Sequence, residues 1–129
     1  MISTAVIQKL ISTPGINSLV AKRVFPNIIK ADAVYPAVYV FSDQMRLINC
    51  FQPGTTRSGK IEIGVYAPSY TEAQAIMKAI RDTLDGFEGT VNSVAISIGR
   101  GEETTDQYDE ETLSHVKTIE YEAIAESTN

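Results

Sequence analysis

Between Lys60 and Leu84 the apolar positions of this chain change period once, and that change limits the folds open to it. Ile61, Ile63 and Val65 alternate with Lys60, Glu62 and Tyr66, as a strand buried on one face requires. Pro68 ends that run. Ser69-Tyr70-Thr71-Glu72 then reads as a capping box, whose side chains satisfy backbone N–H groups left free at a helix start. Ala73, Ile76, Met77, Ile80 and Leu84 follow at helical spacing, and Gly86 stands as a stop. A half-buried strand that feeds an amphipathic helix needs a layered α-plus-β domain, because each element has one apolar face to cover.

The other segments fit that frame. Ser3 can cap a helix over 4–12, with Ile2 and Ile7 as a hydrophobic staple and Val6, Ile7, Leu10 and Ile11 as its stripe. Thr13-Pro14-Gly15 stops it, and Ile16, Leu19 and Val20 suggest one short helical turn before Arg23-Val24-Phe25-Pro26, where the proline favours an extended residue ahead of it. Residues 27–34 read as loop and 37–41 as a strand introduced by Tyr35-Pro36. Residues 42–59 read as an exposed hairpin or arm, with a possible strand over 46–51 and then a turn-rich run. Strands are expected around 91–98 and 113–125, separated by an acidic loop over 99–112, and 126–129 are expected to be a flexible tail. The whole predicts one α+β domain over 1–125. It is a two-layer sandwich in which two main helices pack on one face of a mainly antiparallel sheet.

A length of 129 residues with 43% hydrophobic content suffices for a packed core without staples. No stretch approaches the roughly 20 consecutive apolar residues of a membrane helix, and the start lacks the pattern of a signal peptide, so a cytoplasmic site of synthesis is expected and no membrane contact. A single cysteine, Cys50, excludes an intramolecular disulfide framework and a cysteine zinc cluster. The net charge of −5 argues against gripping nucleic acid through a general basic surface. Residues 1–64 hold seven Lys/Arg against three Asp/Glu, whereas 65–129 hold four against thirteen. Two unlike, mutually attractive surfaces on one chain suit head-to-tail contacts that close into a ring.

Catalytic chemistry finds little support. Glu102, Glu103, Asp106, Asp109, Glu110 and Glu111 could attract a divalent cation, but their spacing is not that of a calcium loop, so they read as a solvated acidic segment. His115 is the only histidine and has no nucleophile in a recognisable arrangement. Cys50 has no basic neighbour closer in sequence than Arg46, which weakens the case for a reactive thiolate. Gly54, Gly59 and Gly64 form no phosphate-binding fingerprint. The chain therefore reads as a non-enzyme with no metal and no cofactor. The six tyrosines are expected in the core and at subunit contacts.

The succession Pro14-Gly15-Ile16-Asn17-Ser18-Leu19-Val20, Arg23-Val24-Phe25-Pro26 and Tyr35-Pro36-Ala37-Val38-Tyr39-Val40 resembles the tail completion proteins (tail terminators, head-tail joining proteins) of long-tailed bacteriophages. Ile61-Glu62-Ile63-Gly64-Val65-Tyr66-Ala67, Leu84-Asp85-Gly86-Phe87 and the late block Asp106-Gln107-Tyr108-Asp109-Glu110-Glu111-Thr112 continue the likeness in order. The resemblance implies a structural virion protein, assembled in the bacterial host, that forms a ring, commonly hexameric, at the head-proximal end of the tail tube. Its implied partners are further copies of itself, the tail tube protein and the head connector or adaptor, with DNA passing through the lumen unheld. Met45, Arg46, Leu47, Ile48, Phe51 and Arg57 of the arm, with Asp106, Asp109, Glu110 and Glu111, are the expected interface residues. A small oligomeric ligand-binding or regulatory domain is the alternative, and it requires a concave pocket of converging polar groups.

Overall fold

The computed structural model describes residues 2–20, 23–26, 35–47, 56–91, 94–104 and 106–127. Three helices, α1 (Ile2–Ser12), α2 (Pro14–Val20) and α3 (Tyr70–Leu84), accompany strands β1 (Val24–Pro26), β2 (Ala37–Leu47), β3 (Thr56–Ala67), β4 (Glu88–Val91), β5 (Val94–Ile98), β6 (Glu102–Glu103), β7 (Gln107–Asp109) and β8 (Ser114–Ser127). Strand residues outnumber helical ones. The expectation of two main helices is corrected to three, because Thr13-Pro14 ends one helix and starts another. The Thr13 carbonyl accepts from the N–H groups of Ile16 and Asn17, and proline at a first helical position gives up only an N–H that would be unpaired there.

One sheet, in the order β1-β2-β3-β8-β5-β4, organises the molecule, and β8 is its spine. Along one side β8 pairs with the whole of β3, from Thr56 opposite Glu126 to Ala67 opposite His115. Along the other it pairs in turn with β7, β6 and β5. The contact of β1 with β2 is parallel, and all other pairings are antiparallel.

The alternation in Lys60–Tyr66 holds: Ile61, Ile63 and Val65 are buried, as are Ile119, Tyr121 and Ala123 of β8 beside them. They join Val6 and Leu10 of α1, Ile16 and Val20 of α2, and Ala73, Ile76, Met77, Ile80 and Leu84 of α3 in one core. Helix α3 packs on β3 and β8, α1 reaches β1, β2, β4 and β5, and α2 touches both other helices. The α3 start is capped as its sequence requires, with the Ser69 hydroxyl oxygen accepting the Glu72 N–H at 3.1 Å. Two glycines allow close packing: a side chain at Gly64 would collide with the Tyr39 ring lying across it, and one at Gly101 with Ile119 and Tyr121.

Three segments carry more regular pairing than their sequence showed. Both flanks of the 42–59 arm are strand, since Arg46 and Leu47 pair with Ser58 and Arg57, while 48–55 lie outside the described residues. The acidic segment over 99–112 contributes β6 and β7, because β8 is long enough to offer them a free edge. That strand also runs past 125: Glu126 pairs with Thr56 and Ala95, and Ser127 with Val94, so partners on both sides hold what the sequence suggested was tail.

Candidate interaction surfaces

The residues expected at interfaces fall at opposite ends of the sheet. Arg57, exposed, pairs with Leu47 and Ala125 at one end, whereas Val116 and His115, next to β7 and its acidic turn, mark the other. Tyr66 lies nine positions along β3 from Arg57, about 30 Å of strand. Met45, Arg46 and Leu47 lie in β2, with their side chains outside the described part, and Ile48, Phe51 and Cys50 lie outside it altogether.

At the second end the four acidic candidates divide by role. Asp106 is tied: both its oxygens accept from the Lys117 ammonium, at 3.0 and 3.1 Å, and the Tyr70 hydroxyl donates to it at 3.0 Å. Lys117 is almost wholly buried beneath it and also lies over the Tyr70 ring, 4.8 Å from its centre. The Lys117 hydrogen bond holds the Asp106 carboxyl below its ordinary pKa; burial alone would lower Lys117, but Asp106 and Tyr70 outweigh it and raise the ammonium. Asp109 organises the turn, its oxygens accepting from the Glu111 N–H at 3.1 Å and the Thr112 hydroxyl at 3.0 Å. Only Glu110 and Glu111 project freely into solvent. Leu113, beside them, has φ of 53° and is 66% exposed, so a leucine stands in water in a conformation that glycine or asparagine normally takes. His115 packs edge-on against Tyr70 and Tyr108, an aromatic contact rather than a catalytic one.

Sequence reasoning missed a second network. On α3, Arg81 donates to Asp85 at 3.3 Å and to Glu103 of β6 at 2.7 Å, while Asp85 accepts the Gly101 N–H at 3.2 Å. The i,i+4 spacing of Arg81 and Asp85 was the available signal. Burial works against Asp85 ionising, yet the Tyr121 hydroxyl, the Gly101 N–H and Arg81 together keep its pKa low. The Tyr121 hydroxyl is buried beside Asp85; burial, then that carboxylate, pushes its pKa far up.

A groove of about 620 Å³ runs beside α3, lined by Gln74, Met77, Lys78, Arg81, Asp82, Asp85, Glu103 and Lys117. Its cations are already engaged, Lys78 by Asp82, Arg81 by Asp85 and Glu103, and Lys117 by Asp106. In that groove, then, each lysine and arginine already has a carboxylate partner. Among the described residues no group of three or more His, Cys, Asp and Glu is placed to hold a metal ion. None of the described helices is long and apolar enough to cross a membrane.

The sheet face away from the core is acidic. Glu120 is flanked in register by Glu62 of β3 and Glu102 of β6, and Glu122 is opposite Lys60. Phe41 and Ile124 on this face are 40% and 46% exposed.

A family model described as "Tail completion protein gp17" matches residues 4–126. A solved chain from "Virion of native gene transfer agent (GTA) particle" is similar at a TM-score of 0.68 and 17% identity, covering 97% of this chain and 94% of that one. A second solved chain is similar at a TM-score of 0.58 and 11% identity, covering 83% of this chain and 81% of its own. At such identities the likeness concerns the fold. No curated protein sequence matches this one.

Proposed function

Because the chain belongs to the tail completion protein gp17 family and is thus a structural protein of a phage-like tail, we propose that it forms a ring at the head-proximal end of the tail tube, where it ends tube growth and joins the tail to the head connector. The family match over residues 4–126 carries this reading, because it spans both ends of the sheet and every element between them. The similar fold of a chain from a gene transfer agent virion agrees with it. We read the three helices as a layer over one sheet face, leaving the acidic face open. Two unlike ends about 30 Å apart suit a subunit that meets different neighbours above and below, the tube protein at one and the connector or adaptor at the other. A surface bearing Glu62, Glu102, Glu120 and Glu122 repels phosphates, as a lumen that passes DNA without holding it should. The protein then resides in the neck of the virion after assembly in the host cytoplasm, and needs neither cofactor nor catalysis.

Deleting the gene from its genome of origin tests the reading. Negative-stain electron microscopy should show DNA-filled heads beside headless or overlong tails. Normal infectious particles would overturn it.

A further inference from the structure

We propose that neighbouring copies join by backbone pairing, the free edge of β2 beyond Val40 receiving β4 of the next copy as a parallel strand. The inference rests on the ring reading and specifies its lateral contact. Strand β1 covers β2 only from Val38 to Val40 and ends in Pro26, which has no N–H to extend the ladder. Among the described residues no strand pairs with 41–47 on that side. The opposite margin of the sheet is β4, whose outer edge is likewise unpaired among the described residues.

The two edges match in direction, exposed groups and charge. Each step from β2 through β3, β8 and β5 to β4 is antiparallel, and four reversals leave β4 running the same way as β2. Copies related by rotation about an axis along the strands therefore bring β4 to β2 in parallel, in line with β1. The Val38 N–H donates to the Arg23 carbonyl, so by alternation Ser42 turns its backbone groups to the same side, where no strand among the described residues pairs with them. The Ile98 N–H donates to the Phe87 carbonyl, so Glu88 and Thr90 turn theirs outward from β4. At that edge Phe41 is 40% exposed, and the buried Ser42 hydroxyl has no hydrogen-bond partner among the described residues. The occupant is a second copy, because one chain supplies both open edges, and because β2 lies in the half with excess Lys/Arg and β4 in the half with excess Asp/Glu.

Through their register partners, Phe41, Glu88 and Thr90 all sit on the acidic face. Particles from the genome of origin carrying Cys50→Ser and Phe41→Cys with either Glu88→Cys or Thr90→Cys test the proposal under mild oxidation, the two partners covering either register. A ladder of covalent multimers from one of the pairs supports it. Incorporation of both variants with monomer alone overturns it while leaving the tail reading intact. Absence of the wild-type chain from particles defeats the tail reading itself. Should the variants not be incorporated, hydrogen exchange on the wild-type chain decides. The Ser42 and Thr90 amides should exchange at least about tenfold slower in particles than in the free chain, and equal rates would overturn the pairing.

Discussion

Truncating Ile119 to alanine is expected to destabilise the chain by about 2–5 kcal/mol, the range for removing a large aliphatic side chain from a packed core. Ile119 is fully buried on the central strand β8, opposite Ile63, and its tip lies against Gly101. The loss would be a large part of the roughly 5–15 kcal/mol that holds an ordinary domain together. Ile124, on the same strand but facing the other way, is 46% exposed, so Ile124→Ala should change stability by no more than about 0.5 kcal/mol. Urea unfolding of both variants checks the assignment of faces. Equal losses at the two positions would contradict it.

Alkali is expected to unfold the protein steeply from about pH 10. Burial is the main cause that raises the pKa of Tyr39, Tyr66 and Tyr121, and Asp106 and Tyr70 raise that of Lys117 against its burial. A group whose folded pKa is raised gives its full stabilisation below its unfolded value, here 10.0 for the tyrosines and 10.5 for the lysine. Above those values the unfolded chain releases protons that the folded chain keeps, and stability falls until each folded pKa is passed. Asp85 and Asp106 act in the opposite sense: with pKa values lowered from 3.8, their contribution is present above that value and is lost as pH falls below it. Thermal midpoints followed by circular dichroism should therefore form a plateau with a sharp alkaline fall and a milder acid one. Tyr39→Phe removes one titrating group, whose hydroxyl donates to Glu62 at 2.6 Å, and should make the alkaline fall shallower. A midpoint unchanged well beyond pH 10 would contradict the burial of these hydroxyls.

Period and capping made the centre of the fold legible. The strand at Ile61-Ile63-Val65 and the helix from Ser69 to Leu84 were evident because each is long enough for its repeat to show, and Thr13-Pro14-Gly15 marked the end of α1. Short elements were harder. Strand β4 contains Gly89 and is mostly exposed, so nothing in its composition stands out, and β6 and β7 exist because β8 offers them an edge. The charge of the 106–111 block was plain, but its division was not. Asp106 turns toward Lys117, eleven residues away, and Asp109 holds its own turn, which leaves Glu110 and Glu111 as the free pair. Lys117 reads in sequence as one polar residue in an alternating strand; only the packing of α3 and β8 shows that it is buried. The separation of arm and acidic turn likewise depends on the register of β3 with β8, which no local pattern encodes.

If the chain is the ring that closes the tail, its position in the particle is fixed. Cryo-electron microscopy of purified particles bearing a small C-terminal tag on this protein would locate it directly. The account predicts one closed ring of tag density between the last tube layer and the head connector, and none elsewhere. Density repeating along the tube, or confined to the distal tip, would contradict it.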